Sequence, residues 1–340
     1  MTDTRRTRPE FPRLPPAAEP RRGALWRGIA LQLCLLVATL AAFEVGLRIV
    51  DFREFRATPE QNRLPYDYDA ELGWFGAPNK ILPADGLPGS YRTSLNSLGL
   101  RDIEPGAAGE QTILVLGDSL VYGTGIAAEQ RFTQLLRPQL PGSRIVNAGV
   151  AGFGTDQEYL LLKRLWPIIK PDVVVLIVSV DSDHWDNSTN SAYGHTLKPY
   201  LAEIDSQWQF RGIPVPRSKA YYFDHLWPAR HSYVVRLAVD FYLRARYPAV
   251  FVPDPTVTLV GMMRGFVEAH GAAFLVGLQH QDPTLEPFLV SQKIAYVGFD
   301  DAETLYNDDH WSLQGNATVA KELMDLLSRE KMIDRRAPPE

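Results

Sequence analysis

The chain has 340 residues, of which 45% are hydrophobic and 22% charged, and its net charge is −5 at neutral pH. This length and composition are sufficient for one sizeable hydrophobic core, and the acidic balance gives no indication of a nucleic-acid-binding surface. The single cysteine, Cys34, excludes an internal disulfide framework and any cysteine-based zinc site.

The N-terminal segment differs in composition from the rest of the chain. Residues 1–27 contain seven Arg against three acidic residues and are rich in Pro, which predicts a disordered basic leader. Residues 28–47 are apolar except for Gln32, Thr39 and Glu44. About 20 apolar residues of helix span a bilayer core, and a positive flank stays in the cytoplasm. We therefore predict a single transmembrane anchor with a cytoplasmic N-terminus and an exported (periplasmic or extracellular) remainder.

Two alternatives to an anchor remain for the apolar run. A cleaved signal peptide would use Thr39-Leu40-Ala41 or Leu40-Ala41-Ala42, which are poor cleavage sites. A buried helix of a soluble domain would not be flanked by Arg27, Arg48 and a basic leader. The length of the run and its lack of a clean A-x-A site favour the anchor.

The next elements suggest a sheet interleaved with helices. Residues 48–110 are rich in Pro and Gly, and we predict an irregular linker there. From Thr112 onward, short aliphatic runs alternate with amphipathic segments. In chain order they predict a strand at Ile113–Leu116, a helix at Glu129–Leu140, a strand at Arg144–Val146, a helix at Thr155–Ile169 and a strand at Asp172–Val180.

The alternation is interrupted and then resumes. Residues 190–255 are rich in aromatic residues and Pro, and they predict an inserted segment that caps a site, with a hairpin near Leu201–Ile213 and a helix near Ser232–Ala245. The last elements predicted are a helix at Thr256–His270, strands at Ala273–Leu278 and Ile294–Val297, and a helix at Leu313–Leu327. Aliphatic strands alternating with helices indicate a parallel sheet covered on both faces. Residues 111–330 are therefore predicted to form a three-layer α/β/α sandwich, followed by a tail at 331–340.

One serine lies directly after the first predicted strand, in the run Gly117-Asp118-Ser119. The carboxyl end of a parallel strand is where open α/β folds place their sites, and the N–H groups of a following helix can bind an oxyanion. Taken alone, Gly-Asp-Ser is also a common turn in which the serine caps a helix.

A histidine motif, Asp308-Asp309-His310-Trp311, precedes the last predicted helix. A nucleophilic serine needs an imidazole to accept its proton, and the imidazole needs a carboxylate to fix its tautomer. Asp308 is placed to do this, whereas Asn307 at the alternative position carries no charge. The sequence thus predicts a triad of Ser119, His310 and Asp308.

These motifs together resemble those of the SGNH/GDSL hydrolases, in particular an exported, membrane-anchored bacterial branch. Gly117-Asp118-Ser119 matches the nucleophile block, Asn147 to Thr155 matches the second block, and Asp308 to Trp311 with Gly315 matches the last. The resemblance implies a flavodoxin-like parallel sheet, the triad named above, oxyanion-hole N–H groups from Ser119 and Gly152, and no cofactor.

The third block departs from the family pattern. Where the family has Gly-Asn-Asp, this chain has Asp181-Ser182-Asp183, so a serine hydroxyl stands in for the oxyanion-binding amide. Loss of one oxyanion donor costs about 10²–10³ in rate. An alternative use of this run is a hard divalent cation held by Asp181, Asp183, His184 and Asp186. Close carboxylates on a loop are more often solvated, so we predict no metal.

The function that these residues predict is a serine esterase acting on an oxygen ester of an envelope carbohydrate or lipid. Two alternatives stay open. One is acyl transfer to a polysaccharide. The other is a weakly catalytic or non-catalytic component of an envelope assembly complex. The expected partners are the ester-bearing small molecule, lipid or polysaccharide and, through the N-terminal helix, the membrane. Nucleic acid is not expected, and the sequence identifies no protein partner.

Overall fold

A computed structural model describes residues 22–50, 66–82, 92–107, 111–192 and 196–333. Most of the predicted basic leader and most of the tail lie outside these residues. The first described element is helix α1 (Arg22–Val50), which begins before the predicted anchor and ends after it. Within it, Leu25–Val50 is long and apolar enough, by length and composition, to cross a membrane.

The other elements follow in chain order. The strands are β1 (Tyr66–Asp69), β2 (Gly73–Gly76), β3 (Ile81–Leu82), β4 (Thr93–Ser94), β5 (Gln111–Gly117), β6 (Ser143–Gly149), β7 (Val173–Val178), β8 (Ser191–Ala192), β9 (Thr196–Leu197), β10 (Tyr200–Ile204), β11 (Gln207–Arg211), β12 (Ala273–Leu278) and β13 (Ala295–Gly298). The helices after α1 are α2 (Ser119–Tyr122), α3 (Phe132–Leu136), α4 (Thr155–Ile169), α5 (Asp183–Asn187), α6 (Lys219–His225), α7 (Trp227–His231), α8 (Tyr233–Arg246), α9 (Thr256–Ala269), α10 (Glu286–Gln292) and α11 (Leu313–Arg329).

The central sheet has five parallel strands in the order β13-β12-β7-β5-β6. Strand β7 is aliphatic and buried at every position because both faces of the sheet are covered. One face packs on α4 and α9, and the other packs on α3 and α11. The predicted three-layer α/β/α sandwich with a parallel sheet is confirmed.

The predicted helix at Glu129–Leu140 is wrong. A 3₁₀ turn at Ala128–Gln130 is separated from α3 by Arg131, whose backbone is extended, and a second 3₁₀ turn at Arg137–Gln139 contains Pro138. Proline lacks the N–H that would continue an α-helix. The Arg131 side chain turns inward and binds the carbonyl oxygen of Ala128 at 3.0 Å, which stabilises the break.

The segment before the sheet was expected to be irregular, but its described residues form two short antiparallel pairs, β1–β2 and β3–β4. Tyr66, Leu72 and Trp74 are buried in the same core as α4. The described residues of this segment (66–82 and 92–107), hereafter the N-terminal extension, are therefore packed onto the sheet domain.

The predicted insertion (residues 190–255) contains a hairpin and a helical part. The hairpin β10–β11 appears where it was predicted and lies on α4, with the rings of Phe210 and Tyr159 stacked at 5.8 Å. Helices α6, α7 and α8 pack on one another and on the C-terminal end of α1, where Leu47 is buried with Phe223 and Ala229.

Candidate active site

Ser119 is held at the carboxyl edge of the sheet by a tight turn. Strand β5 ends at Gly117, and the Asp118 side chain accepts a hydrogen bond from Leu120 N at 2.9 Å at the start of α2. A Cβ on Gly149 would lie 2.2 Å from Tyr122 N, so only glycine lets β6 approach α2 this closely. The turn brings a half-exposed serine directly onto the strand end, as the sequence predicts.

The Ser119 hydroxyl is bound to its neighbour. Its Oγ donates to Asp118 Oδ2 at 3.2 Å. Burial raises the pKa of Asp118, and the bond from Leu120 N and the nearby His310 offset only part of this rise. Rotation about one side-chain bond would move the hydroxyl from this carboxyl group into the space above the turn.

His310 is oriented by Asp308, as predicted. The Asp308 carboxylate accepts hydrogen bonds from the His310 backbone N at 3.0 Å and from its Nδ1. Burial acts to raise the pKa of Asp308, but these bonds from His310 outweigh it and place that pKa below its ordinary value. With Nδ1 occupied, the basic nitrogen is Nε2.

The loop that carries His310 is anchored on both sides. The buried Trp311 ring meets Phe132 and Phe299 edge to face at 6.0 and 5.5 Å. Asn316 Nδ2 donates to Trp311 O at 3.1 Å, and its Oδ1 accepts from Phe132 N at 2.9 Å. These contacts fix the loop against α3 and limit how far the imidazole can move.

Ser119 and His310 line one open cleft at the carboxyl edge of the sheet. The residues that line it are Asp118, Ser119, Leu120, Ser179, Asp181, Ser182, Gln279, Asp309 and His310. In the described part of the chain no hydrogen bond joins Ser119 to His310, because the serine donates to Asp118 instead. The insertion contributes none of its described residues to this lining, so the predicted cap over the site is not formed by them.

The predicted oxyanion glycine lies on the loop after the neighbouring strand, β6. Gly152 has φ +78°, a left-handed conformation that favours glycine. The residue before it is held by the N-terminal extension: Ala151 N donates to Tyr66 Oη at 2.8 Å, and Trp74 Nε1 donates to Ala151 O at 3.2 Å. Gly152 is not among the residues that line the cleft, although its loop adjoins the strand end that carries Ser119.

Ser182 lies on the cleft, but its hydroxyl has another partner. Its Oγ donates to Ser179 Oγ at 2.9 Å, and Ser179 donates in turn to Gln279 Oε1 at 3.3 Å. Gln279 Nε2 donates to Asp181 at 3.1 Å, and His280 Nε2 lies 3.0 Å from the same carboxylate. The bond to Asp181 raises the pKa of His280. The two oxygens of the Asp181 carboxylate thus bind Gln279 and His280.

The side chains of the alternative cation site diverge. Asp183 is buried and accepts from Ser179 N at 2.9 Å. His184 binds Asp254 through Nδ1 at 2.6 Å and Asp282 through Nε2 at 2.8 Å. In the described residues no group of three His, Cys, Asp or Glu side chains is arranged to hold a metal ion. The run Asp181–Asp186 is thus engaged in separate contacts.

Buried acids lie next to the nucleophile turn. Burial raises the pKa of Asp183 well above its ordinary value, and the charge of Asp118 raises it further. Burial likewise raises the pKa of Glu158, together with the charges of Asp183 and Asp118. The raised pKa values favour the protonated forms of both carboxyl groups, which reduces the negative charge near a developing oxyanion.

Sequence reasoning missed Gln279, Tyr66 and Trp74. Gln279 directly follows β12, so its place at the carboxyl edge of the sheet was a usable signal. Tyr66 and Trp74 carried no such signal, because their contacts with Ala151 join positions 77 or more residues apart.

No family model and no curated protein matches the chain. It is similar to solved structures at low identity. A psychrotrophic esterase from Pseudoalteromonas is 12% identical with a TM-score of 0.39, covering 65% of this chain and 99% of that one. A lipolytic G-D-S-L family protein from Veillonella parvula is 10% identical with a TM-score of 0.34, covering 64% and 98%. An acetylxylan esterase from Geobacillus stearothermophilus is 13% identical with a TM-score of 0.34, covering 65% and 95%. Likenesses at these values assign neither activity nor substrate.

Proposed function

We propose that this protein is a membrane-anchored serine esterase of the SGNH/GDSL type. The observation that carries the proposal is the shared cleft: Ser119 and His310 line it together, and Asp308 binds the imidazole on its Nδ1 side. This is the arrangement of nucleophile, base and orienting acid that acyl transfer through a serine requires.

The chemistry follows from these three side chains. The Ser119 hydroxyl leaves Asp118, gives its proton to His310 Nε2 and attacks the ester carbonyl carbon. His310 then protonates the departing alcohol, and an acyl-serine remains. Water then attacks the acyl carbon while His310 accepts its proton. His310 returns this proton to the Ser119 oxygen, and the acid is released. Asp308 keeps the imidazole in the productive tautomer and stabilises its protonated form.

The oxyanion is proposed to be bound by the N–H groups of Ser119 and Gly152 and by a donor from the cleft wall. Ser182 is one candidate, but its hydroxyl is committed to Ser179. Gln279 carries the only side-chain amide among the described residues that line the cleft. A donor matters most when it is already positioned before the charge develops. Gln279 Nε2 donates one N–H to Asp181 and carries a second N–H, whereas the single hydroxyl proton of Ser182 is already used. Gln279 therefore fits the third donor better than Ser182 does.

The substrate is proposed to be an oxygen ester of an envelope carbohydrate or lipid. This rests on α1, whose apolar length suits a bilayer, and on the positive N-terminal flank, which predicts export of the domain. A reporter fused after Glu340 should be active only when exported. Activity of a cytoplasmic reporter on the intact fusion would contradict this location.

The full-length protein in detergent should be labelled covalently by a fluorophosphonate probe, since such labelling needs an activated serine. Ser119→Ala and His310→Gln should abolish the labelling. Ser188→Ala is a matched control, because the Ser188 hydroxyl donates only to the His184 carbonyl oxygen and is not part of the cleft lining.

Equal labelling of the wild type and Ser119→Ala would show that the motif match is accidental. Absence of labelling in a folded wild type would favour the non-catalytic alternative. Screening acetylated sugars and short- and long-chain esters with and without sugar acceptors would then distinguish hydrolysis from acyl transfer.

A further inference from the structure

Part of helix α8 reverses the burial expected of a helix in a soluble domain, although its apolar residues Tyr233, Val234, Val235, Leu237 and Val239 pack against the cluster with Leu47. Its charged Arg236 and Asp240 are 8% and 9% exposed, whereas Phe241 and Tyr242 are 65% and 63% exposed. A surface helix normally buries its apolar stripe and exposes its charges. The reversal indicates that the outward face of α8 meets something apolar.

The buried charges have partners inside the helical part of the insertion. Arg236 Nε donates to Ala229 O at 2.7 Å, and its guanidinium lies 5.3 Å from the centre of the Phe223 ring. Asp240 accepts from Arg244 at 2.8 Å. The exposed positions of α8 are Ala238, Phe241, Tyr242, Arg244, Ala245 and Arg246, so its outward part carries two aromatic rings and two cations.

The neighbouring turn adds to the same exposed apolar set. Leu226 and Trp227, at the start of α7, are 43% and 72% exposed. We name Leu226, Trp227, Phe241 and Tyr242 the α7–α8 apolar surface. Tryptophan and tyrosine are enriched where a membrane meets water, since one part of each ring system is apolar and the other polar.

The place where the helical part of the insertion is attached to α1 indicates what this surface meets. Leu25–Phe43 is exposed at all 19 positions, and at 1.5 Å per residue it is about 28 Å long, close to the bilayer core of about 30 Å. Contacts with the rest of the protein begin directly after it, at Glu44 and Leu47. The helical part of the insertion is therefore attached where α1 would leave the hydrocarbon.

Hydrogen bonds with two residues of α1 attach the start of α8 to the end of that helix. Glu44 accepts hydrogen bonds from Ser232 Oγ at 2.8 Å and from the first N–H groups of α8, Tyr233 N and Val234 N, at 3.0 Å each. Arg48 donates to His231 O at 2.7 Å and lies over the Tyr233 ring. With its N-terminus fastened to α1 by these bonds, α8 has little freedom to turn away from the membrane surface.

The net charge of the helical part of the insertion also suits contact with a lipid surface. Residues 219–246 carry five cations (Lys219, Arg230, Arg236, Arg244 and Arg246) against two acids (Asp224 and Asp240), a net charge of +3, although the whole chain has a net charge of −5. Basic residues near a membrane surface are attracted to anionic lipid headgroups.

We propose that α7 and α8 lie in the bilayer interface, with Leu226, Trp227, Phe241 and Tyr242 inserted among the lipids beside the end of α1. The inference rests on the membrane anchoring in the proposed function, but not on the esterase activity. It makes the helical part of the insertion a second membrane contact that fixes the orientation of the sheet domain on the bilayer.

The test uses the full chain in nanodiscs of phosphatidylcholine with phosphatidylglycerol. A spin label is placed on native Cys34, or, in a Cys34→Ser background, on Trp227→Cys, Tyr242→Cys or Trp208→Cys. Trp208 is the matched control, because it is an exposed tryptophan on β11 of the hairpin. Accessibility to oxygen, which partitions into lipid, is compared with accessibility to a water-soluble nickel complex.

The labels at positions 227 and 242 should favour oxygen, as the label on Cys34 does, and the label at position 208 should favour nickel. Labels at 227 and 242 that behave like the one at 208 would overturn the inference while leaving the anchor intact. A water-exposed label on Cys34 would overturn the anchor, and the inference with it. Fluorophosphonate labelling of each variant tests the proposed activity, and thermal unfolding of each variant tests the fold.

Discussion

The N-terminal extension and the insertion both fall outside the strand–helix alternation, yet they stabilise different parts of the molecule. The extension uses buried aromatic side chains, Tyr66 and Trp74, to hold the backbone of Ala151 beside the cleft. The helical part of the insertion packs on α1 and leaves Trp227, Phe241 and Tyr242 exposed. The aromatic content of a segment thus does not show whether the segment supports the active site or forms an exposed surface. The contacts that each ring makes show this.

The largest expected effect on kcat comes from Gln279, a residue of the cleft itself. The effects of changes in the extension and in the insertion are compared with it. Gln279→Met keeps the side-chain volume but removes the amide, so kcat on a soluble ester should fall by about 10²-fold with little change in KM. Gln281→Met, an exposed residue two positions further on, is the control. Steady-state kinetics measure both. Equal kcat values for the two variants would remove Gln279 from the oxyanion site.

Tyr66→Phe tests the contribution of the extension. It takes away the acceptor of the buried Ala151 N–H, at a cost of about 1–3 kcal/mol, and loosens the loop that carries Gly152. Since small displacements of a catalytic group are costly, kcat should fall by about 10-fold.

Tyr200→Phe in β10 is the matched control from the insertion, and its kcat should stay at the wild-type value. If both variants lowered kcat equally, the claim that the extension supports the cleft and the insertion does not would be wrong. Thermal unfolding of both variants separates a loss of kcat from a loss of fold.

The sheet and the contact between Asp308 and His310 could be predicted from the sequence because their signals are local. The aliphatic run of β7 and the Asp308–His310 spacing each lie within a few residues. The packing of Trp74 on the loop of Gly152 could not be predicted, since no local pattern connects positions so far apart. The predicted helix at Glu129–Leu140 contained a local warning in Pro138, but the inward turn of Arg131 had no local signal, since its side chain binds the Arg101 carbonyl oxygen, 30 residues earlier.

His184 connects the end of the insertion to the sheet edge and should make the stability depend on pH. Its hydrogen bond to Asp254, together with that to Asp282, raises the pKa of His184 to about 9. Because the folded pKa lies above the ordinary value of 6.5, the stabilisation is complete below pH 6.5 and is lost as the pH rises towards 9.

The free energy of unfolding should therefore fall by about 1–2 kcal/mol between pH 6.5 and 9.5, after allowance for solvent screening of this partly exposed group. Denaturant unfolding at several pH values measures it. His184→Gln should flatten this dependence, whereas His225→Gln, on the exposed end of α6, should preserve it. An unchanged slope in His184→Gln would show that the bridge contributes nothing to stability.

The smallest expected effect concerns the insertion, whose attachment to α1 should contribute to stability and not to kcat. Glu44→Ala removes the acceptor for Ser232 Oγ and for the first N–H groups of α8, a capping interaction worth about 1 kcal/mol. The unfolding midpoint in detergent should drop by a few degrees, since a loss of 1 kcal/mol lowers Tm by about 2–4 °C in a domain of this size. The kcat on a soluble ester should not change, because no described residue of the insertion lines the cleft. Glu203→Ala on β10 is the control, as that exposed side chain caps no helix. A fall in kcat for Glu44→Ala, with the midpoint unchanged, would mean that the anchored end of α1 communicates with the cleft and that the two segments are not independent.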